Sequence, residues 1–134
     1  MARILVDASA VYALLDADDR WHGAARAAFD AVRRRREEPL LTNFLVAECH
    51  ALLLSRLGSD VARRWLLTNV WPIERVTGTD EEHAVEIIRR YDDKTFSYTD
   101  AASFAVMERL GIRRAVAFDP HYSQYGFEVV GPPE

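Results

Sequence analysis

Four carboxylates, Asp7, Glu48, Asp100 and Asp119, stand where apolar elements normally exclude charge. Asp7 closes the run Ile4-Leu5-Val6 and Asp119 closes Ala115-Val116-Ala117-Phe118. Both therefore emerge at the C-terminal ends of strands, where open α/β sheets bind ligands. Glu48 has Phe44, Leu45, Ala51 and Leu52 one helical turn away on either side, which places it on a core-facing stripe. Asp100 follows Thr99 at the start of a helix whose inner stripe includes Phe104, Val106 and Met107. Two carboxylates about 4 Å apart at an effective dielectric near 20 repel by roughly 4 kcal/mol, and four in one pocket multiply that cost. Protonation, arginine partners or a divalent cation can offset it. No arginine lies beside Asp7, Glu48 or Asp100 along the chain, although Arg3 and Arg56 remain partners through space. Oxygen donors without clustered His or Cys select a hard cation, Mg²⁺ or Mn²⁺, over zinc. Carboxylates, waters and substrate phosphate oxygens around such an ion suit metal-assisted phosphodiester hydrolysis. Ordinary structural roles stand beside this reading: a turn or cap for Asp7 and Asp119, a buried salt bridge for Glu48, a helix-dipole acid for Asp100.

The elements that must carry these acids alternate between strand and helix. Residues 3–7 read as a strand that enters a helix from Ser9 to Leu15 without a loop. A second helix over 22–37 ends in Arg33-Arg34-Arg35-Arg36 before Pro39. A strand at 40–42 leads to Asn43 as N-cap of the Glu48 helix, which Gly58 closes. A helix from Ser59 or Asp60 to Asn69 and a strand over 71–76 follow. Thr79 and Glu82 fit a capping box for a helix reaching Tyr91. Residues 92–98 read as loop, 99–110 as a helix closed by Gly111, and 114–118 and 127–130 as the last strands. The pattern predicts an α/β protein, a mostly parallel sheet of four or five strands covered by helices on both faces.

At 134 residues, without linkers or repeats, a single domain over 1–134 is expected. The net charge of -4 argues against an indiscriminate nucleic-acid coat, yet metal neutralisation of the four acids would leave the remaining surface near neutral. Sixteen of the 17 basic residues are arginine, which suits phosphate contacts and equally fits a compositional bias. The lone Cys49, the lack of a signal peptide and the absence of a long apolar run predict a cytoplasmic protein without membrane contact.

The segments 4–9 (ILVDAS), 42–48 (TNFLVAE), 97–107 (SYTDAASFAVM) and 117–122 (AFDPHY), in this order along nearly the whole chain, resemble a PIN domain, most closely the small VapC-type toxins of toxin-antitoxin pairs. The resemblance implies a Rossmann-like α/β/α sandwich and an endoribonuclease dependent on Mg²⁺ or Mn²⁺. It also implies RNA as substrate, a homodimer, and inhibition by a cognate antitoxin. Asp7, Glu48 and Asp100 match the family's three most regular acids and Asp119 the more variable fourth, all as catalytic metal ligands. Ser9 and Thr99 match hydroxyl positions that orient a carboxylate or bound water, a role shared with helix capping. Products with 5′-phosphate and 3′-hydroxyl ends are implied, because no 2′-hydroxyl attack is used.

Other residues invite weaker readings. Cys49 and His50 flank Glu48 but point away from it on a helix, so a zinc site is not expected there. His121 reads as a solvated loop residue, and His22 and His83 carry no partner signal. The run Arg33 to Arg36 is a solvated helix end or an RNA guide, and Trp21, Trp65 and Trp71 are core or interface residues. Three rivals remain: a PIN nuclease without toxicity, a silent protein-binding module whose acids pair with arginines, and a receiver or haloacid-dehalogenase-like phosphotransfer domain. The last needs a late lysine, whereas Lys94 is the only one.

Overall fold

The computed structural model describes residues 2–132. A five-stranded sheet in the order β3-β2-β1-β4-β5, parallel at every pairing, forms its centre. Along the chain run β1 (Arg3–Val6), α1 (Ala8–Leu15), α2 (His22–Arg34), β2 (Glu38–Thr42), α3 (Asn43–Leu57) and α4 (Ser59–Thr68). They are followed by β3 (Ile73–Glu74), α5 (Gly78–Arg90), α6 (Tyr98–Leu110), β4 (Arg114–Val116), α7 (His121–Tyr125) and β5 (Glu128–Val130). Ile4, Leu5 and Val6 on the central strand are wholly buried, as are Leu41 and Val116 on its neighbours. Unbroken apolar strands of this kind are what a parallel sheet covered on both faces requires. Leu45, Cys49 and Leu53 of α3, with Phe104, Val106 and Met107 of α6, complete the core. No helix among the described residues is long and apolar enough to cross a membrane.

Strand order decides where a site can form. The chain steps from β1 outward to β2 and β3, then returns across β1 to lay down β4 and β5. That reversal opens a crevice between the C-terminal ends of β1 and β4, the usual ligand position in such sheets. Asp7 N–H donates to Val116 O at 2.9 Å there, tying the two strand exits together.

Several local expectations are corrected. Thr42, not Asn43, caps α3, its hydroxyl accepting from Leu45 N–H at 3.0 Å. Asn43 instead accepts Val76 N–H at 2.8 Å and anchors the chain leaving β3. The capping box of α5 is Thr77 with Asp80, two residues before the pair Thr79 and Glu82. Asp80 wins because its carboxylate also receives Arg109 from α6 at 2.9 Å, a tertiary gain invisible in local pattern. The strand expected over 71–76 shrinks to Ile73–Glu74 at the sheet edge, and α7 forms where a loop was expected.

Candidate active site

All four acids lie along the crevice, each delivered by a different element. Asp7 is the N-cap of α1 and is 2% exposed. Its Oδ2 accepts both the backbone N–H of Ser9 at 3.0 Å and the Ser9 hydroxyl at 2.5 Å. Its Oδ1 accepts the hydroxyl of Tyr122 at 3.0 Å. Ser9 Oγ in turn accepts Phe118 N–H at 2.9 Å, so β4's exit is fastened to the same group. Asp100 closes a capping box with Ser97, accepting Ser97 N–H at 2.9 Å while its own N–H donates to Ser97 Oγ at 3.0 Å. The cap named as an ordinary role for Asp7 is thus real, Asp100 is a capping-box partner rather than only a helix-dipole acid, and both caps lock the direction in which the carboxylate points.

Glu48 is half-buried on the border of the apolar stripe of α3, beside rather than within the line Leu45, Cys49 and Leu53. Ala51, expected on that stripe, is exposed. Burial, with the charges of Asp7 and Asp100 added, pushes the Glu48 carboxyl up to about 7 against a hydrogen bond from Thr99. Burial and the nearby Asp7 likewise push Asp119 up to about 7, opposed by the His121 N–H that it accepts at 2.9 Å. Asp100 is raised too, mainly by burial. These shifts report carboxyls withdrawn from water and, to a lesser degree, negative charge held close together.

Among the described residues every arginine ion pair goes elsewhere: to Asp30, Glu37, Glu74, Asp80, Glu86 and Glu128. Arg56 lies over the Tyr12 ring at 5.1 Å, and Arg3 pairs with none of the four acids. The group facing the acids is His121, expected to be solvated but placed in the first turn of α7. Its Nδ1 is 2.7 Å from Asp100 Oδ2 and 3.8 Å from Asp119 Oδ1, while its ring rests edge-on against Phe96. Ligand atoms of Asp100, Asp119 and His121 lie within 4.8 Å of one another, a grouping able to hold a metal ion. Sequence reasoning missed His121, Tyr122 and Ser97. The spacing Ser97-x-x-Asp100 carries a capping signal, but Tyr122 and His121 join the site only through the short helix α7.

The remaining candidates fall away from the site. Cys49 is buried, with its thiol pushed up by burial, so it is inert. His22 Nδ1 lies 2.9 Å from Ala13 O and joins α2 to α1. Arg33 to Arg36 span the end of α2 and the turn into β2, at the N-terminal end of the strands and so opposite the four acids at the C-terminal ends.

Residues 4–128 match the PIN domain. The chain belongs to the PIN domain family. Within this family it is 36% identical over 132 residues to the 23S rRNA-specific endonuclease VapC20 of Mycobacterium tuberculosis, covering 96% of this chain and 98% of that protein. Ribonuclease VapC26 of Mycobacterium tuberculosis is 26% identical over 124 residues, 90% of each chain. The crystal structure of VapC20, a sarcin-ricin loop cleaving toxin, superposes with a TM-score of 0.84 at 34% identity over 92% of this chain and 95% of that one. DNA-bound VapBC from Salmonella typhimurium shares the fold, with a TM-score of 0.70 at 11% identity over 98% of each chain. The PIN fold places a five-stranded parallel sheet under this acidic crevice.

Proposed function

We propose that this PIN domain, acting as one unit over 1–134, is the toxin ribonuclease of a type II toxin-antitoxin pair, working in the cytoplasm as a homodimer. It hydrolyses RNA phosphodiester bonds with Mg²⁺, for which Mn²⁺ substitutes. Its substrate class is structured ribosomal RNA of the kind that VapC20 cuts, and its antitoxin covers the crevice. The observation that carries the reading is the convergence of four carboxylates with no arginine or lysine among them. That all-oxygen donor set fits a hard divalent ion, and two of its carboxyls, pushed up to about 7 first by burial and then by the neighbouring acids, would gain from one. Asp7, Glu48, Asp100 and Asp119 would hold the ion.

When bound, a divalent cation polarises phosphoryl oxygens and makes water a better nucleophile. The protein's own groups supply the rest. Ser9 and Tyr122 hold Asp7 by both oxygens, and Ser97 holds Asp100, so neither carboxylate spends energy reorienting when phosphate arrives. Glu48 and Asp119, raised to about 7 without an ion, would give up their protons as they take up the cation. His121, with Nδ1 against both Asp100 and Asp119, ties these two carboxylates together at the same edge.

Incubating purified protein with RNA that contains the sarcin-ricin loop tests the proposal. Cleavage is expected with Mg²⁺ or Mn²⁺ and not with chelator, and Asp7→Asn or Asp100→Asn abolishes it with circular dichroism unchanged. Equal cleavage in excess chelator, or full activity of both variants, would overturn it. A maintenance nuclease without toxicity is separated by expression: growth arrest relieved by the product of an adjacent gene marks the toxin. A silent module with arginine-paired acids is disfavoured by where the arginines lie.

A further inference from the structure

Beside the acids lies a cavity of about 500 Å³, lined by Phe118, Asp119, Pro120, Ser123, Val129 and Gly131 with Pro132 at its rim. It is larger than the clefts of about 330 to 400 Å³ elsewhere on the surface, and it alone of these shares a wall residue with the four acids. Its volume falls within the range of about 300–1,000 Å³ typical of small-ligand sites. No lysine or arginine lines it, and Asp119 adds negative charge, so the wall repels phosphate. The wall is mixed, apolar at Phe118, Pro120 and Val129 and polar at Ser123 and Asp119, which suits a neutral aromatic ring with polar edges.

We propose that this cavity receives an unpaired nucleobase next to the bond to be cut, and that it sets which nucleotide is accepted there. The inference rests on the ribonuclease reading and adds the feature of substrate that the site selects. Phe118 is the stacking surface. Its backbone is pinned to Ser9 Oγ at 2.9 Å, and Trp21 braces its ring from outside the cavity at 6.1 Å between centroids. Arg20 in turn lies over the Trp21 ring at 4.7 Å. The floor is backbone: a Cβ at Gly131 would stand 2.2 Å from Ala117 O, so the exits of β4 and β5 close against each other. Ser123 is the polar reader. Its hydroxyl donates to Pro120 O at 3.1 Å, which leaves its oxygen free to accept from an exocyclic amine. Unpaired bases stacked on aromatic rings and read along their edges are how proteins recognise RNA loops.

The test uses hairpin RNAs that contain the sarcin-ricin loop, with 2-aminopurine at successive unpaired loop positions, bound to the wild-type protein in Ca²⁺. One position is expected to be quenched. Ser123→Phe and Pro132→Trp, both at exposed positions, fill the cavity and should weaken binding about tenfold or more and abolish that quench. An abasic nucleotide at the same position should slow wild-type cleavage by a similar factor and leave the filled variants unaffected. Wild-type affinity and quench in both variants, or no RNA binding by the wild type, overturns the base pocket. Binding with the predicted quench but no cleavage in Mg²⁺ or Mn²⁺ overturns the ribonuclease reading and leaves the pocket standing.

Discussion

Glu48→Gln should make the metal-free protein more stable, although Glu48 is proposed as a metal ligand. In the fold its carboxyl rises from an ordinary 4.5 to about 7, chiefly through burial and then through Asp7 and Asp100. Between those two values the folded chain keeps a proton that the unfolded chain releases, so stability falls as pH rises through the window. Above about pH 7 the full penalty applies, near 3 kcal/mol by the shift alone. Glu48 is only half-buried, and solvent screening reduces this to about 1–2 kcal/mol. Glutamine keeps the shape and can still accept from Thr99 without repelling Asp7. Urea unfolding in chelator should therefore show the variant about 1–2 kcal/mol more stable at about pH 8 and equal to wild type near pH 4. Millimolar Mg²⁺ should shrink or reverse the gap, because the ion stabilises whichever folded protein binds it better. A variant less stable than wild type in chelator at high pH, or a gap independent of pH, would refute the argument that unpaired charge strains this crevice.

Three further outcomes follow from the same geometry. Tyr122→Phe removes the hydroxyl donated to Asp7 Oδ1 and should cost about 1 kcal/mol of stability with about a tenfold loss of Mn²⁺ affinity, read by denaturation and calorimetry. Because Glu48 and Asp119 both sit at about 7, Mn²⁺ affinity should climb as pH rises through neutrality and level off above it, with protons released on binding; a flat profile refutes this. Arg109→Leu strips the clamp from Asp80, which is 3% exposed, and should destabilise the fold by about 3 kcal/mol at neutral pH. Burial raises Asp80, but Arg109 and the Thr77 N–H outweigh it and hold its carboxyl below 3.8. The clamp's contribution is thus present above that value and lost as pH falls through the lowered one.

The acids were legible because charge at the end of an apolar run is costly and therefore conspicuous. Asp7 after Ile4-Leu5-Val6 and Asp119 after Ala115 to Phe118 reveal themselves by position alone. Glu48 was legible in kind but not in degree, since a helical wheel cannot separate the middle of a buried stripe from its border. The Thr77 box was hidden behind a plausible Thr79 box, because the deciding partner, Arg109, comes from another helix.

Alternating strand and helix patterns, together with four misplaced carboxylates, determined the α/β class and the candidate acids from the sequence by itself, through periodicity and the penalty on buried charge. Only the tertiary structure decided that β4 returns to lie against β1, which brings Asp119, His121 and Tyr122 to Asp7 across more than a hundred residues of chain. Hydrophobic pattern fixes which face of an element is buried but not which element lies beside it. Strand order, and with it the crevice, is settled by packing.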